Sequence, residues 1–172
     1  MKIDDDDFTL FAIAPRFVQD RAVLDARWKA LQSEVHPDRF AAEGPAARRV
    51  AMQWAIRVNE AYQRLKDPLA RAAYLCSLHG QALDAQTNTA MPAAFLMQQM
   101  AWREALEADG TPDGIEALAA EVSDRQRSLQ DELVVLIDER QDWSGAASLI
   151  RALMFIARMA QDLDQRLDVL SR

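Results

Sequence analysis

Two apolar stripes at helical spacing, one on each side of a segment that cannot continue a helix, constrain this chain more than any other feature. Leu24, Trp28, Leu31 and Val35 fall at i, i+4, i+7 and i+11, the pattern of one buried helix face. Val50, Trp54, Ala61 and Leu65 form a second stripe, flanked by Ile56, Val58 and Tyr62. Between them His36-Pro37 stops the first helix, because proline disfavours helix in the residue before it. The spacing predicts a helix from about Asp20, an N-cap, to Val35, then a loop through Gly44-Pro45, then a helix to about Lys66. Two antiparallel helices with complementary stripes pack as a hairpin.

Asp67-Pro68 opens a shorter helix, with proline at its first position, that ends near His79-Gly80. Gln81 to Met91 has little periodicity and reads as a linker. Three more helices are expected, at about Pro92–Ala108, Pro112–Glu139 and Ser144–Leu170. Gly110-Thr111-Pro112-Asp113-Gly114 and Gln141-Asp142-Trp143 separate them, with caps and proline where helix starts favour them;. Short connections make these an antiparallel three-helix bundle. Only five Gly and six Pro occur, and Ala, Leu, Arg and Gln, which lose little on entering a helix, are plentiful;. Nothing reads as a strand. The expected fold is all-α: a helical-hairpin domain over 1–79, a linker over 80–91 and the bundle over 92–172.

Charge narrows the function. Residues 1–75 carry twelve Lys+Arg and eleven Asp+Glu, and residues 76–172 carry eight and sixteen, for a net −7. A nearly neutral half beside an acidic half argues against nucleic acid, where a basic face supplies most of the affinity. No apolar run approaches a membrane span. The start, Met1-Lys2-Ile3 followed by Asp4 to Asp7, has neither a secretory nor a mitochondrial pattern;. A cytoplasmic protein without a membrane partner is expected, and the four aspartates read as a solvated run. Cys76, the only cysteine, sits in an apolar segment and reads as an inert buried thiol;.

The first candidate site is His36-Pro37-Asp38. By chance the tripeptide arises in about one chain of this length per hundred. Its position at the turn of a hairpin adds weight. Proline fixes a backbone dihedral, histidine offers a donor and an acceptor, and aspartate offers a charge, so the corner can dock with little ordering cost. A plain helix stop, with Asp38 capping a turn, explains the same three residues.

Beyond the tripeptide, Val35-His36-Pro37-Asp38-Arg39-Phe40 followed by Asn59-Glu60-Ala61-Tyr62 and Lys66-Asp67-Pro68-Leu69-Ala70-Arg71-Ala72-Ala73-Tyr74-Leu75 resembles a J-domain. Phe8-Thr9-Leu10-Phe11 matches the aromatic opening of that family's first short helix. Leu75 to Gly80, together with Ala94-Phe95-Leu96-Met97-Gln98-Gln99 and Arg103-Glu104, is similar to the HscB family, the J-proteins of iron–sulfur cluster assembly. The resemblance covers essentially the whole chain. It implies that His36, Pro37 and Asp38 contact a DnaK/HscA-type ATPase chaperone and trigger its hydrolysis, with Lys29 and Arg27 supporting. Val35 stands where J-domains usually carry tyrosine. Asp25 sits among Arg21, Lys29 and His36, which should weaken the electrostatic attraction and make it salt-sensitive.

The second candidate site is a helix with two apolar sides. Phe95, Trp102 and Leu106 share one side, while Leu96, Met97 and Met100 project about 100–200° away beside Glu104;. Methionine is common on adaptable binding surfaces. In the last helix Leu149, Leu153, Ile156, Leu163 and Leu167 form the stripe and Phe155 points elsewhere, which could bring it to the same surface. That surface could equally pack against the hairpin domain. The HscB resemblance implies that Leu96, Met97, Met100, Glu104 and Phe155 receive an IscU-type iron–sulfur scaffold protein. Ala101 and Ala108 fall where the family can carry acidic residues.

These readings imply a non-enzymatic adaptor with no cofactor and no metal. A J-protein serving a general DnaK-type chaperone and other clients is the alternative. Against an enzyme, His36 and Asp38 flank a proline, with no nucleophile or Gly-rich phosphate loop nearby. His36 and His79 supply too few ligands for a metal site.

Overall fold

The computed structural model describes residues 2, 4–81, 83 and 93–170, and among these all regular structure is helical. The chain divides into two compact units, Met1–Leu75 and Cys76–Arg172. Of the 80–91 linker, residues 82 and 84–91 lie outside the described residues, as does Pro92 at the expected start of the helix that follows it.

The first unit holds α1 (Asp7–Phe11), α2 (Arg21–Glu34), α3 (Pro45–Lys66) and most of α4 (Pro68–Leu78). Asp20 caps α2 as expected, its carboxylate accepting from the N–H groups of Ala22 and Val23;. α2 and α3 pack as the hairpin, and α1 lies against both. Leu24, Val35, Val58, Ala61, Tyr62 and Leu65 are buried. The second stripe is displaced from its expected centre: Ala51 takes the buried position, and Val50 and Ile56 face outward. At 100° per residue, Ala51 and Val58 lie on one line of α3, and Val50 is a quarter-turn or so off it.

The segment expected as a loop is ordered. Pro37–Glu43 forms a 3₁₀ helix with Pro37 at its start, and Gly44 leaves it at φ +97°, a conformation that favours glycine;. Arg39 donates from Nη1 to the carbonyl of Ser33 at 3.1 Å, satisfying an otherwise open acceptor at the end of α2;.

Nor are all four aspartates solvated. Asp7 is fully buried, 2.7 Å from Arg57 Nη2 and 3.4 Å from Arg64 Nε, while its backbone N–H donates to Tyr74 Oη. The Arg57 approach is close but bent, so neither carboxylate oxygen receives a well-aligned hydrogen bond. Asp6 caps α1; burial works against its charge, yet hydrogen bonds from Thr9 and Phe8 outweigh that and lower its pKa. Arg71, also buried, donates to the carbonyls of Phe17 and Leu65 and lies over the Phe17 ring. One acidic residue on α1 and one basic residue on α4 thus anchor the short helices by charge.

The second unit is an antiparallel three-helix bundle of α5 (Ala93–Ala108), α6 (Pro112–Val134) and α7 (Trp143–Leu170). Thr111 caps α6 through Gly114 N–H, and Asp142 receives Gly145 N–H at the start of α7. The expected single helix over Pro112–Glu139 changes to a π-helical turn over Val135–Glu139, in which Ile137 is buried. The buried face of α7 centres on Ala146, Ile150, Leu153, Ile156 and Leu163, with Leu149 and Leu167 at its margins rather than in its middle. Cys76 is buried, and desolvation raises its thiol pKa to about 11. No helix among the described residues is long and apolar enough to cross a membrane.

Candidate functional sites on the hairpin corner and the bundle

The corner owes its exposure to its backbone. α2 ends at Glu34, Val35 is buried beneath the turn, and the 3₁₀ helix begins one residue after His36. His36 and Asp38 are therefore lifted to solvent, with 56% and 86% of their side-chain surfaces exposed. The pair is not loose. Asp38 N–H donates to His36 Nδ1 at 3.3 Å, and Arg39 N–H donates to the His36 carbonyl at 3.0 Å. In its neutral form the ring must then carry its proton on Nε2, which points away from that bond. The arrangement offers one outward N–H and one carboxylate about a rigid proline. No group of His, Cys, Asp or Glu side chains that could hold a metal ion occurs among the described residues.

The flanking charges are sorted differently from the expected basic face. Arg21 is engaged locally: its Nε donates to Asp25 Oδ1 at 2.7 Å, Nη2 donates to Tyr62 Oη at 3.3 Å, and its guanidinium lies over the Tyr62 ring. Tyr62 Oη in turn donates to Asp25 at 2.7 Å. Those bonds, Tyr62 first and Arg21 second, lower the Asp25 pKa, and the Asp25 carboxylate raises that of Tyr62. Asp25 is thus largely neutralised within α2 and α3. Lys29 and Arg27 are both exposed, but two positions apart on a helix they point to nearly opposite sides. Lys29 leans toward Asp25, to whose lowered pKa it contributes; the structure does not gather the two cations on one face.

The hairpin is stiffened by a polar seam that sequence spacing does not disclose. Asn59 Oδ1 accepts from Trp28 Nε1 at 2.9 Å and Gln32 Nε2 at 2.6 Å. Trp28 stacks on Tyr62 with ring centroids 4.8 Å apart, and Lys66 lies over the other ring's face region at 5.4 Å. Only the pairing of α2 and α3 in space brings these residues together.

On the bundle, α5 divides as its two apolar sides require. Phe95 and Trp102 are buried, and Trp102 Nε1 is satisfied by Glu121 at 2.7 Å. Leu96, Met97 and Met100 remain exposed to 46%, 71% and 62%, and Glu104 is exposed as well. Phe155 on α7 is half-buried and meets Phe95 edge to face at 6.0 Å. The aromatic contact to α5 is therefore made through Phe95. Met154, exposed beside Phe155, was not singled out from sequence; its place off the α7 stripe was the available signal.

A helical hairpin presenting His-Pro-Asp at its corner, followed in the same chain by an antiparallel three-helix bundle, defines a J-domain co-chaperone. Residues 91–164 match the family model described as the HSCB C-terminal oligomerisation domain. The chain is 48% identical over 160 residues to a co-chaperone protein HscB homolog of Bordetella petrii, covering 92% of this chain and 94% of that protein. It is 47% identical over 171 residues to the Burkholderia multivorans homolog, covering 98% and 97%. Among solved structures, chaperone HscB from Vibrio cholerae aligns with a TM-score of 0.83 at 36% identity, covering 96% of this chain and 99% of that one. Human co-chaperone protein HscB aligns with a TM-score of 0.90 at 25% identity, covering 96% and 84%. The chain belongs to the HscB family of co-chaperones.

Proposed function

We propose that this protein stimulates the ATPase of a DnaK/HscA-type chaperone and delivers to it an IscU-type iron–sulfur scaffold protein, in support of cluster maturation in the cytoplasm. It does no bond chemistry itself and needs no cofactor; the nucleotide belongs to the chaperone. Residues 1–79 serve the chaperone, 92–172 serve the client, and 80–91 joins them. Holding both partners at once raises the effective concentration of client at the chaperone.

The observation that carries this reading is the exposed, backbone-locked corner. His36 and Asp38 are presented to solvent on a turn held by two hydrogen bonds, so a partner can use them with little ordering cost. The exposed Leu96, Met97 and Met100 with Phe155 and Glu104 supply a second, chemically different surface, suited to an apolar partner with a polar rim. Lys29 and Arg27 assist chaperone encounter from separate sides of α2.

Single-turnover hydrolysis by the chaperone, with and without this protein, tests the reading. Asp38→Asn removes the charge and keeps the shape. It should abolish stimulation while circular dichroism and scaffold binding stay unchanged. Stimulation equal to that of the parent would refute the role of the corner.

A further inference from the structure

Immediately below the corner lies a groove of about 430 Å³ between the end of α2, the 3₁₀ helix and the first turns of α3. Its walls are Val35, Phe40, Val50 and Trp54, and Glu34 and Glu43 stand at its edge. Val50 is half exposed on this wall, which explains why the second stripe failed to bury it: its side chain faces the groove rather than the hairpin core. No lysine or arginine lines the groove. Both carboxylates are exposed, and neither has an ion pair among the described residues.

We propose that this groove is a second contact for the ATPase chaperone, taking a bulky apolar side chain with a lysine or arginine beside it. The assignment rests on the function proposed above and adds to it a site distinct from His36-Pro37-Asp38. Two features select that occupant. The walls are aliphatic and aromatic, so they reward an apolar group removed from water. The rim carries two negative charges and no positive one, so a cation beside that group is attracted and an acidic segment is repelled. Glu34 and Val35 directly precede His36, and Phe40 follows Asp38 in the same 3₁₀ helix. A chaperone surface seated on the corner therefore reaches the groove without further reach of chain.

The test uses the absence of competing thiols. Cys76 is buried with its thiol pKa raised to about 11, so a cysteine introduced at position 50 is the reactive one at neutral pH. Full-length Val50→Cys is alkylated with a maleimide alone and with saturating ATP-bound DnaK-type chaperone, beside a Ser128→Cys control on α6. Protection at position 50 of about tenfold, with none at the control, is expected for a side chain covered in the complex. In parallel, Glu34→Lys/Glu43→Lys should weaken chaperone binding by about tenfold, the size of one lost charge-complementary contact, and reduce its salt dependence. Unchanged alkylation of Val50→Cys in a complex that still stimulates hydrolysis would overturn the groove and leave the corner standing. Wild-type protein that neither binds nor stimulates the chaperone would instead overturn the function on which the groove depends.

Discussion

Removing the Asp7 carboxylate tests whether the N-terminal unit is held by a buried charge. Asp7 is 0% exposed, whereas the side chains of Arg57 and Arg64 are 20% and 40% exposed. Breaking a buried pair from one side costs about 3–5 kcal/mol when the remaining charge stays buried. Here the two arginines can turn toward water, Arg57 keeps its bond to the Asp5 carbonyl at 2.9 Å, and Arg64 keeps the Tyr74 ring at 4.8 Å. The expected loss for Asp7→Ala is therefore about 2–3 kcal/mol, at or just below the bottom of that range. For a unit of this size each kcal/mol moves the midpoint by about 4–8 °C, so a fall of about 10–20 °C is expected in thermal unfolding followed by circular dichroism. The control is the cycle with Arg57→Met. If the pair acts as a unit, the double variant recovers part of the loss and the coupling exceeds about 1 kcal/mol. A midpoint for Asp7→Ala within about 2 °C of the parent, or a coupling indistinguishable from zero, would refute the argument.

Three further outcomes follow from other parts of the molecule. The double variant Leu96→Ser/Phe155→Ser should lose scaffold binding by titration calorimetry and still stimulate the chaperone; equal scaffold affinity would remove the patch from consideration. Asp20→Ala leaves the N–H groups of Ala22 and Val23 uncapped and should cost about 1 kcal/mol in urea unfolding, the usual worth of an N-cap. Cys76 should resist alkylation at pH 8, where a thiol of pKa about 11 is thiolate in only about one molecule per thousand. Because its folded pKa lies above the ordinary 9.0, the unfolded chain loses that proton first. The contribution of Cys76 to stability is intact below pH 9 and declines as pH rises from 9 towards 11;. A Cys76→Ala variant should show a shallower decline over that window, and an unchanged slope would contradict the assignment.

Much of this architecture was legible because helical periodicity and its punctuation are local. Asp20, Pro37, Gly44-Pro45, Pro68 and Thr111-Pro112 mark boundaries that depend on backbone dihedrals and open N–H groups, and these act over a few residues. The two sides of α5 were readable for the same reason, since neighbouring helix positions point about 100° apart and set the buried Phe95 and Trp102 off from the exposed Leu96 and Met100;. What escaped depended on partners distant in sequence. Asp7 looks like three other aspartates until Arg57 and Arg64 are brought to it. Nothing local distinguishes Asn59, which bridges Trp28 and Gln32 across 31 and 27 positions. The phase of the second stripe slipped because Val50 and Ala51 both satisfy an apolar pattern, and only the packed hairpin decides which faces inward. The 3₁₀ form of Pro37–Glu43 was missed because Pro37 forbids continuation of α2 without saying how the next turn is wound.

The bond from Asp38 N–H to His36 Nδ1 has a consequence for partner choice. With the inner nitrogen occupied, the neutral imidazole shows outsiders a donor and no acceptor, and the carboxylate two residues on shows an acceptor and no donor. A complementary surface must therefore present an oxygen and then a cation, in that order along the chain direction. A surface with the same two groups transposed would set oxygen against carboxylate and cation against N–H, mismatched at both ends. For the docking proposed at this corner, that one hydrogen bond, from a main-chain N–H to the His36 ring, would set the polarity.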